Sequence, residues 1–165
     1  MKRQILSLLV ENHPGVLSRI AGLFSRRGYN IESLSVGMTD NPNISRMTIV
    51  VTGDDAILEQ IKKQLNKLID TIKITELSLD NAVLRELVLL KVKADAHKRS
   101  EIIEIASIFR AKIVEVGPKT LTVEMTGDDK KIMGFLELLK PYGIVEFIRS
   151  GCTGMERENT ATVEE

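Results

Sequence analysis

The sequence predicts an α+β protein made of two βαββαβ domains in tandem. Three observations lead there. Apolar residues switch between period two and period 3.6 in the order strand, helix, strand, strand, helix, strand, and the order then repeats. The tetrapeptide Thr-Gly-Asp-Asp begins at Thr52 and again at Thr126, 74 residues apart, each time between the third strand and second helix of its unit. The chain's 165 residues, 43% of them hydrophobic, are enough for two small cores.

The first strand spans Gln4 to Val10, apolar on both phases as a central strand covered on both faces would be. A loop, Glu11 to Gly15, leads into a helix on which Val16, Leu17, Ile20, Ala21, Leu23 and Phe24 recur at helical spacing, and Arg26-Arg27-Gly28 supplies last-turn cations and a stop. From Asn30 to Met38 the pattern alternates, with Leu34, Val36 and Met38 on one phase. Ile31 falls on the other, beside Ser33 and Ser35, and needs a separate explanation. Thr39 to Ser45 is turn chemistry, and Met47, Ile49 and Val51 alternate beyond it, which makes a hairpin. Thr52-Gly53-Asp54-Asp55 opens the second helix, carrying Leu58, Ile61, Leu65 and Leu68 on one face, and Thr71 to Leu77 is the last strand of the unit. This order is the ferredoxin-like plan.

Ser78 to Leu84 reads as a connector. The plan then repeats with strand 85–93, helix 99–109, strands 112–116 and 120–126, helix 129–139 and strand 144–148. The domains expected are therefore 1–78 and 79–150. The tail from about 151 to 165 lacks aromatic residues and apolar periodicity and is expected to be partly disordered. The halves differ at the first strand-to-helix junction, which is Asn12-His13-Pro14-Gly15 in one and Ala94-Asp95-Ala96-His97 in the other.

Composition excludes several function classes. Lys and Arg number 23, as do Asp and Glu, so no net field draws in nucleic acid or an anionic membrane. There is no long apolar run and no signal-peptide pattern, and a single cysteine, Cys152, fits a reducing compartment, so a cytoplasmic location is expected. His13 and His97 belong to no metal-binding spacing, and neither a Walker A loop nor a G-x-G-x-x-G stretch occurs, so neither a metal nor a nucleotide cofactor is expected on this chain. The central strands offer no aromatic residues for base stacking. An acylphosphatase-type hydrolase would share the fold, but Glu11 to Val16 contains no arginine for a phosphate cradle.

Ligand binding without chemistry remains. Pro14 suits a first helical turn, Gly15 permits close approach to the backbone, and N–H groups near Gly15 and Val16 could answer a carboxylate. Asn12 could hold an ammonium group or merely cap the helix. These features also describe an ordinary strand-to-helix corner.

The run Asn12-His13-Pro14-Gly15-Val16-Leu17-Ser18-Arg19-Ile20, with Gly28-Tyr29-Asn30-Ile31-Glu32-Ser33-Leu34 and Ser45-Arg46-Met47-Thr48-Ile49, closely resembles the regulatory (small) subunit of acetolactate synthase, also called acetohydroxyacid synthase, and its N-terminal ACT domain. The second half matches mainly in plan and in Ile144-Val145-Glu146 and Arg149-Ser150-Gly151. The resemblance implies a non-catalytic chain that activates a separate catalytic (large) subunit and confers feedback inhibition by valine or another branched-chain amino acid. Thiamine diphosphate, FAD and Mg would belong to that partner. Effector would lie between two ACT domains of a homodimer, touching Asn12, His13, Pro14, Gly15, Val16 and Leu17 and the Asn30-Ile31 pair, so Ile31 would be out of phase because it faces the effector. A Gly15→Asp change would abolish sensing with little effect on folding. The alternatives are a free-standing ACT sensor acting on another target and a small acylphosphatase-like hydrolase.

Overall fold

The computed structural model describes residues 1–158. Two compact units form, one of residues 1–84 together with 152–158, the other of residues 85–151. Both have the predicted ferredoxin-like α+β order.

In the first unit, β1 (Lys2–Glu11), α1 (Val16–Arg26), β2 (Ile31–Met38), β3 (Ile44–Gly53), α2 (Asp55–Asn66) and β4 (Thr71–Leu77) build a sheet in the order β2-β3-β1-β4. Alternation assigns the two faces. Leu6, Leu8 and Val10 of β1 and Met47, Ile49 and Val51 of β3 meet Val16, Ile20, Leu23 and Phe24 of α1 and Leu58, Ile61 and Leu65 of α2 in one core. Each such side chain, once buried, contributes about 1.5–3 kcal/mol. Ala21 and Leu17, counted with the apolar stripe in the sequence, are exposed on α1.

The second unit repeats this with β5 (Ala82–Lys93), α3 (Arg99–Ile108), β6 (Lys112–Val116), β7 (Thr120–Gly127), α4 (Asp129–Leu139) and β8 (Ile144–Arg149), ordered β6-β7-β5-β8. The shared tetrapeptide is a helix start in both. Asp54 accepts the N–H of Ile57 and Asp128 that of Lys131, each at 2.9 Å. The glycine before each Asp lies against the first helical turn, and a Cβ on Gly53 would come within 2.8 Å of Ile57 Cγ2.

The connector needs correction, and the first part of the tail is structured. The connector ends at Asn81, not Leu84. Ser78 and Asn81 close a reciprocal turn, and β5 then begins inside the first unit because Ala82 and Leu84 bury against Ile5, Val50 and Leu77 on the sheet face away from the helices. The segment after 150, expected to be partly disordered, returns to that same face. Cys152 joins the cluster, and β9 (Thr153–Glu156) pairs with β5. The Cys152 N–H donates to Ser33 Oγ at 2.8 Å, and Ser35 Oγ donates to the Cys152 carbonyl at 2.9 Å. This segment carries no periodicity because it covers an existing sheet with one buried side chain and backbone hydrogen bonds. The rest of the tail, 159–165, lies outside the described residues.

Candidate functional site

The loop after β1 is fixed by its backbone. The β1–β3 ladder ends at Glu11 opposite Ile44; one residue on, the Asn12 N–H donates to the Asn43 carbonyl at 2.8 Å. The Asn12 side-chain NH2 donates to the Pro42 carbonyl at 2.8 Å, so it ties the loop to the long β2–β3 turn and does not cap α1. Nothing among the described residues donates to Asn12 Oδ1, which is left as an acceptor. Gly15 occupies the N-cap position of α1 at φ +91°, a left-handed conformation suited to glycine, and no side chain caps the first turn. Asn12, His13, Pro14, Gly15 and Leu17 are exposed, whereas Val16 is buried in the core, its N–H donating to the His13 carbonyl at 3.4 Å.

A charged cluster stands beside this loop. Asp70, 3% exposed at the start of β4, accepts from Arg19 Nε at 2.6 Å through one carboxylate oxygen, and its other oxygen lies 3.0 Å from His13 Nε2. His13 Nε2 is also 3.1 Å from Glu11, and Nδ1 is 3.2 Å from the Pro14 carbonyl. Both ring nitrogens thus face acceptors, which suits the doubly protonated ring. The Pro14 carbonyl, then Glu11 and Asp70, raise the His13 pKa above its ordinary value. Arg19, followed by His13, holds Asp70 below the usual carboxylate range. Arg19 also reaches back over the loop, with Nη1 2.9 Å from where a Cβ on Gly15 would sit.

Glu11, His13 and Asp70 bring three possible cation ligands within 4.8 Å of one another. A proton on His13 already satisfies this arrangement, and the Arg19 guanidinium on the same Asp70 opposes a second positive charge. Neither Asp70 nor Arg19 was singled out from sequence. Arg19 could have been, since it lies four residues beyond Gly15 and helical side chains lean toward the N-terminus. The burial of Asp70 is a tertiary outcome with no sequence signal.

The Asn30-Ile31 pair is not brought to the loop within one chain. Ile31 pairs with Val51 and Glu11 with Ile44, seven residues apart along β3, or about 23 Å at about 3.3 Å per residue. The phase of Ile31 also has a local cause. A β-bulge between Ile31 and Ser33 inserts one residue, so Ile31 and Leu34 both pack against the helix-side core despite their odd spacing. Half-buried Ile31 and exposed Asn30 stand at the start of β2, an edge strand that also exposes Val36 and Met38.

The matching junction of the second unit is closed by its own side chains. Asp95 Oδ1 accepts the N–H groups of His97 and Lys98 at 3.0 Å each, and Arg99 donates to the carbonyls of Ala94, Gly117 and Pro118. Among the described residues, no helix is long and apolar enough to cross a membrane.

Two family models match the chain in order. Residues 6–73 match the family model of the AHAS small subunit-like ACT domain, and residues 85–158 that of the small subunit of acetolactate synthase. The chain is 55% identical to the acetolactate synthase small subunit of Mycolicibacterium smegmatis, over 92% of this chain and 89% of that one. It is 59% identical to that of Mycobacterium avium, over 82% and 81%. The crystal structure of the acetolactate synthase small subunit from Thermotoga maritima superposes with a TM-score of 0.88 at 40% identity, covering 96% of this chain and 99% of that one. With both units matched in order and relatives aligned nearly end to end, the chain belongs to the acetolactate synthase small-subunit family.

Proposed function

We propose that this chain is the regulatory partner of a catalytic acetolactate synthase subunit, which it activates and makes sensitive to a branched-chain amino acid, with valine the first candidate. Thiamine diphosphate, FAD and Mg are assigned to the catalytic partner, and none to this chain. The observation that carries the reading is the uncapped start of α1 at Gly15, set against the matching junction of the second unit, where Asp95 already takes the loop N–H groups. Neither helix start has a side-chain cap, but only in the second unit does a side chain take the N–H groups of the preceding loop, which supports reading the first junction as the one that receives a carboxylate.

The effector site would be shared between two chains. The separation of about 23 Å between the Asn12 loop and Ile31 supports a reading in which one copy supplies Asn12 to Leu17 and a second copy supplies Asn30 and Ile31. The exposed apolar edge of β2 supports that pairing. Asn12 Oδ1 would accept from the effector's ammonium. Effector would bind one arrangement of the dimer better than another, and a difference of about 1–3 kcal/mol is enough to change how the catalytic subunit is held.

The test is reconstitution. Purified chain is added to the catalytic subunit, and acetolactate formation is measured with and without valine, leucine and isoleucine. The expected result is a higher rate on adding the chain and a lower one on adding at least one of the amino acids. An unchanged rate on adding the chain would refute the activating role, and a raised rate indifferent to all three would refute effector sensing.

A further inference from the structure

We infer that Arg19, oriented by Asp70, is the residue that reads the effector's carboxylate. This rests on the function proposed above and adds a named side chain to a site otherwise made of backbone, Asn12 and apolar groups. The Nε of Arg19 is committed to Asp70 at 2.6 Å, and among the described residues nothing accepts from its two terminal NH2 groups. Those groups lie over the start of α1, with Nη1 2.9 Å and Nη2 3.8 Å from the position of a Cβ on Gly15. Gly15 has no such atom, so the guanidinium packs where any other residue would displace it.

The chemistry fits a carboxylate better than any other small anion group on an amino acid. A guanidinium fork presents parallel N–H groups that match two carboxylate oxygens, which a lysine ammonium cannot do. Its orientation is set beforehand, because Asp70 is buried and held on its other oxygen by His13. The negative charges of Glu11 and Asp70 would repel an anion, but Arg19 offsets one of them, and both His13 ring nitrogens face acceptors, an arrangement that favours the charged ring. A zwitterionic amino acid therefore meets a balanced cluster, with its carboxylate beside the guanidinium. Asp70 is a positioning residue here, acting only through Arg19.

Titration calorimetry on the full chain tests this with two ligands: whichever of valine, leucine and isoleucine the wild type binds, and the corresponding amino-acid amide, which keeps the ammonium and side chain but lacks the carboxylate. In Arg19→Gln, affinity for the amino acid should fall about 10- to 100-fold while affinity for the amide stays at the wild-type value, so that discrimination between the two collapses. Arg19→Lys should recover part of the loss. An Arg19→Gln variant that binds the amino acid as the wild type does would overturn the assignment. An equal loss of both ligands would overturn it too, since that marks a structural role. A wild-type chain that binds none of the three amino acids would instead remove the proposed function itself.

Discussion

Replacing Gly15 with aspartate separates the roles of backbone and charge at the loop. Gly15 sits at φ +91°, where a side chain costs about 1–3 kcal/mol in backbone strain, and its Cβ would stand 2.9 Å from Arg19 Nη1. For a domain of this size, about 1 kcal/mol moves the melting midpoint by about 4–8 °C, so the first unit of Gly15→Asp should melt about 4–24 °C lower. The sequence alone suggested little effect on folding, and the left-handed backbone is the reason for the change. Gly15→Ala carries the same strain without charge. The new carboxylate of Gly15→Asp adds a negative charge beside the Arg19 guanidinium, where it repels the effector's own carboxylate. Effector sensitivity should thus fall further in Gly15→Asp than in Gly15→Ala, which crowds the guanidinium without adding charge. Circular dichroism melts report the strain, and acetolactate formation by the reconstituted complex, titrated with valine, reports the sensing. Equal losses in the two variants would refute the charge argument, and wild-type inhibition of Gly15→Asp would remove the loop from the site.

The two helix caps offer an internal control. Asp54→Ala and Asp128→Ala should each cost about 1 kcal/mol in urea denaturation, the first in the unit of β1 to β4 and the second in the unit of α3 to β8; an unchanged midpoint in either would deny that cap its role. Because the folded-state pKa of His13 is raised, its contribution is fully present below the unfolded value of about 6.5 and is lost as pH rises through the folded value. The stability gap between wild type and His13→Gln should therefore narrow from pH 5.5 to 8, and a gap that widens would reverse the charge assignment. Asp70, shifted the other way, loses its contribution as the pH falls from about 3.9 through its lowered folded value, outside that window. Ending the chain after Gly151 removes Cys152 and β9, uncovers Ile5, Val50 and Leu77, and should destabilise the first unit by about 2–4 kcal/mol, read as a lower urea midpoint. An unchanged midpoint would show that the returning segment adds nothing.

Element order was legible because period carries it, and the repeated tetrapeptide was legible because the same capping geometry recurs in both units. Ile31 shows the limit. Its odd phase was visible, but alternation presumes one residue per step, and a bulge adds a residue without leaving a mark in composition. Asn12 was read as a binder or a cap, and became a tie to Pro42 because the turn it reaches is thirty residues away in sequence. Arg19 and Asp70 are 51 residues apart, and nothing local in either announces the other. Features set by neighbours along the chain were readable; features set by partners across the sheet were not.

The return of Cys152 and β9 to the first unit has a consequence for how the chain is made. That unit is discontinuous in sequence, with its last structural piece arriving 72 residues after Leu84. Synthesis at about 5–20 residues per second delays that piece by about 4–14 s. During that interval the growing chain carries a sheet with one face closed by helices and the other, with Ile5, Val50 and Leu77, covered only by Ala82 and Leu84. The nascent first unit is thus at its most adhesive while the second is being translated, and becomes sealed only when the final strand is available.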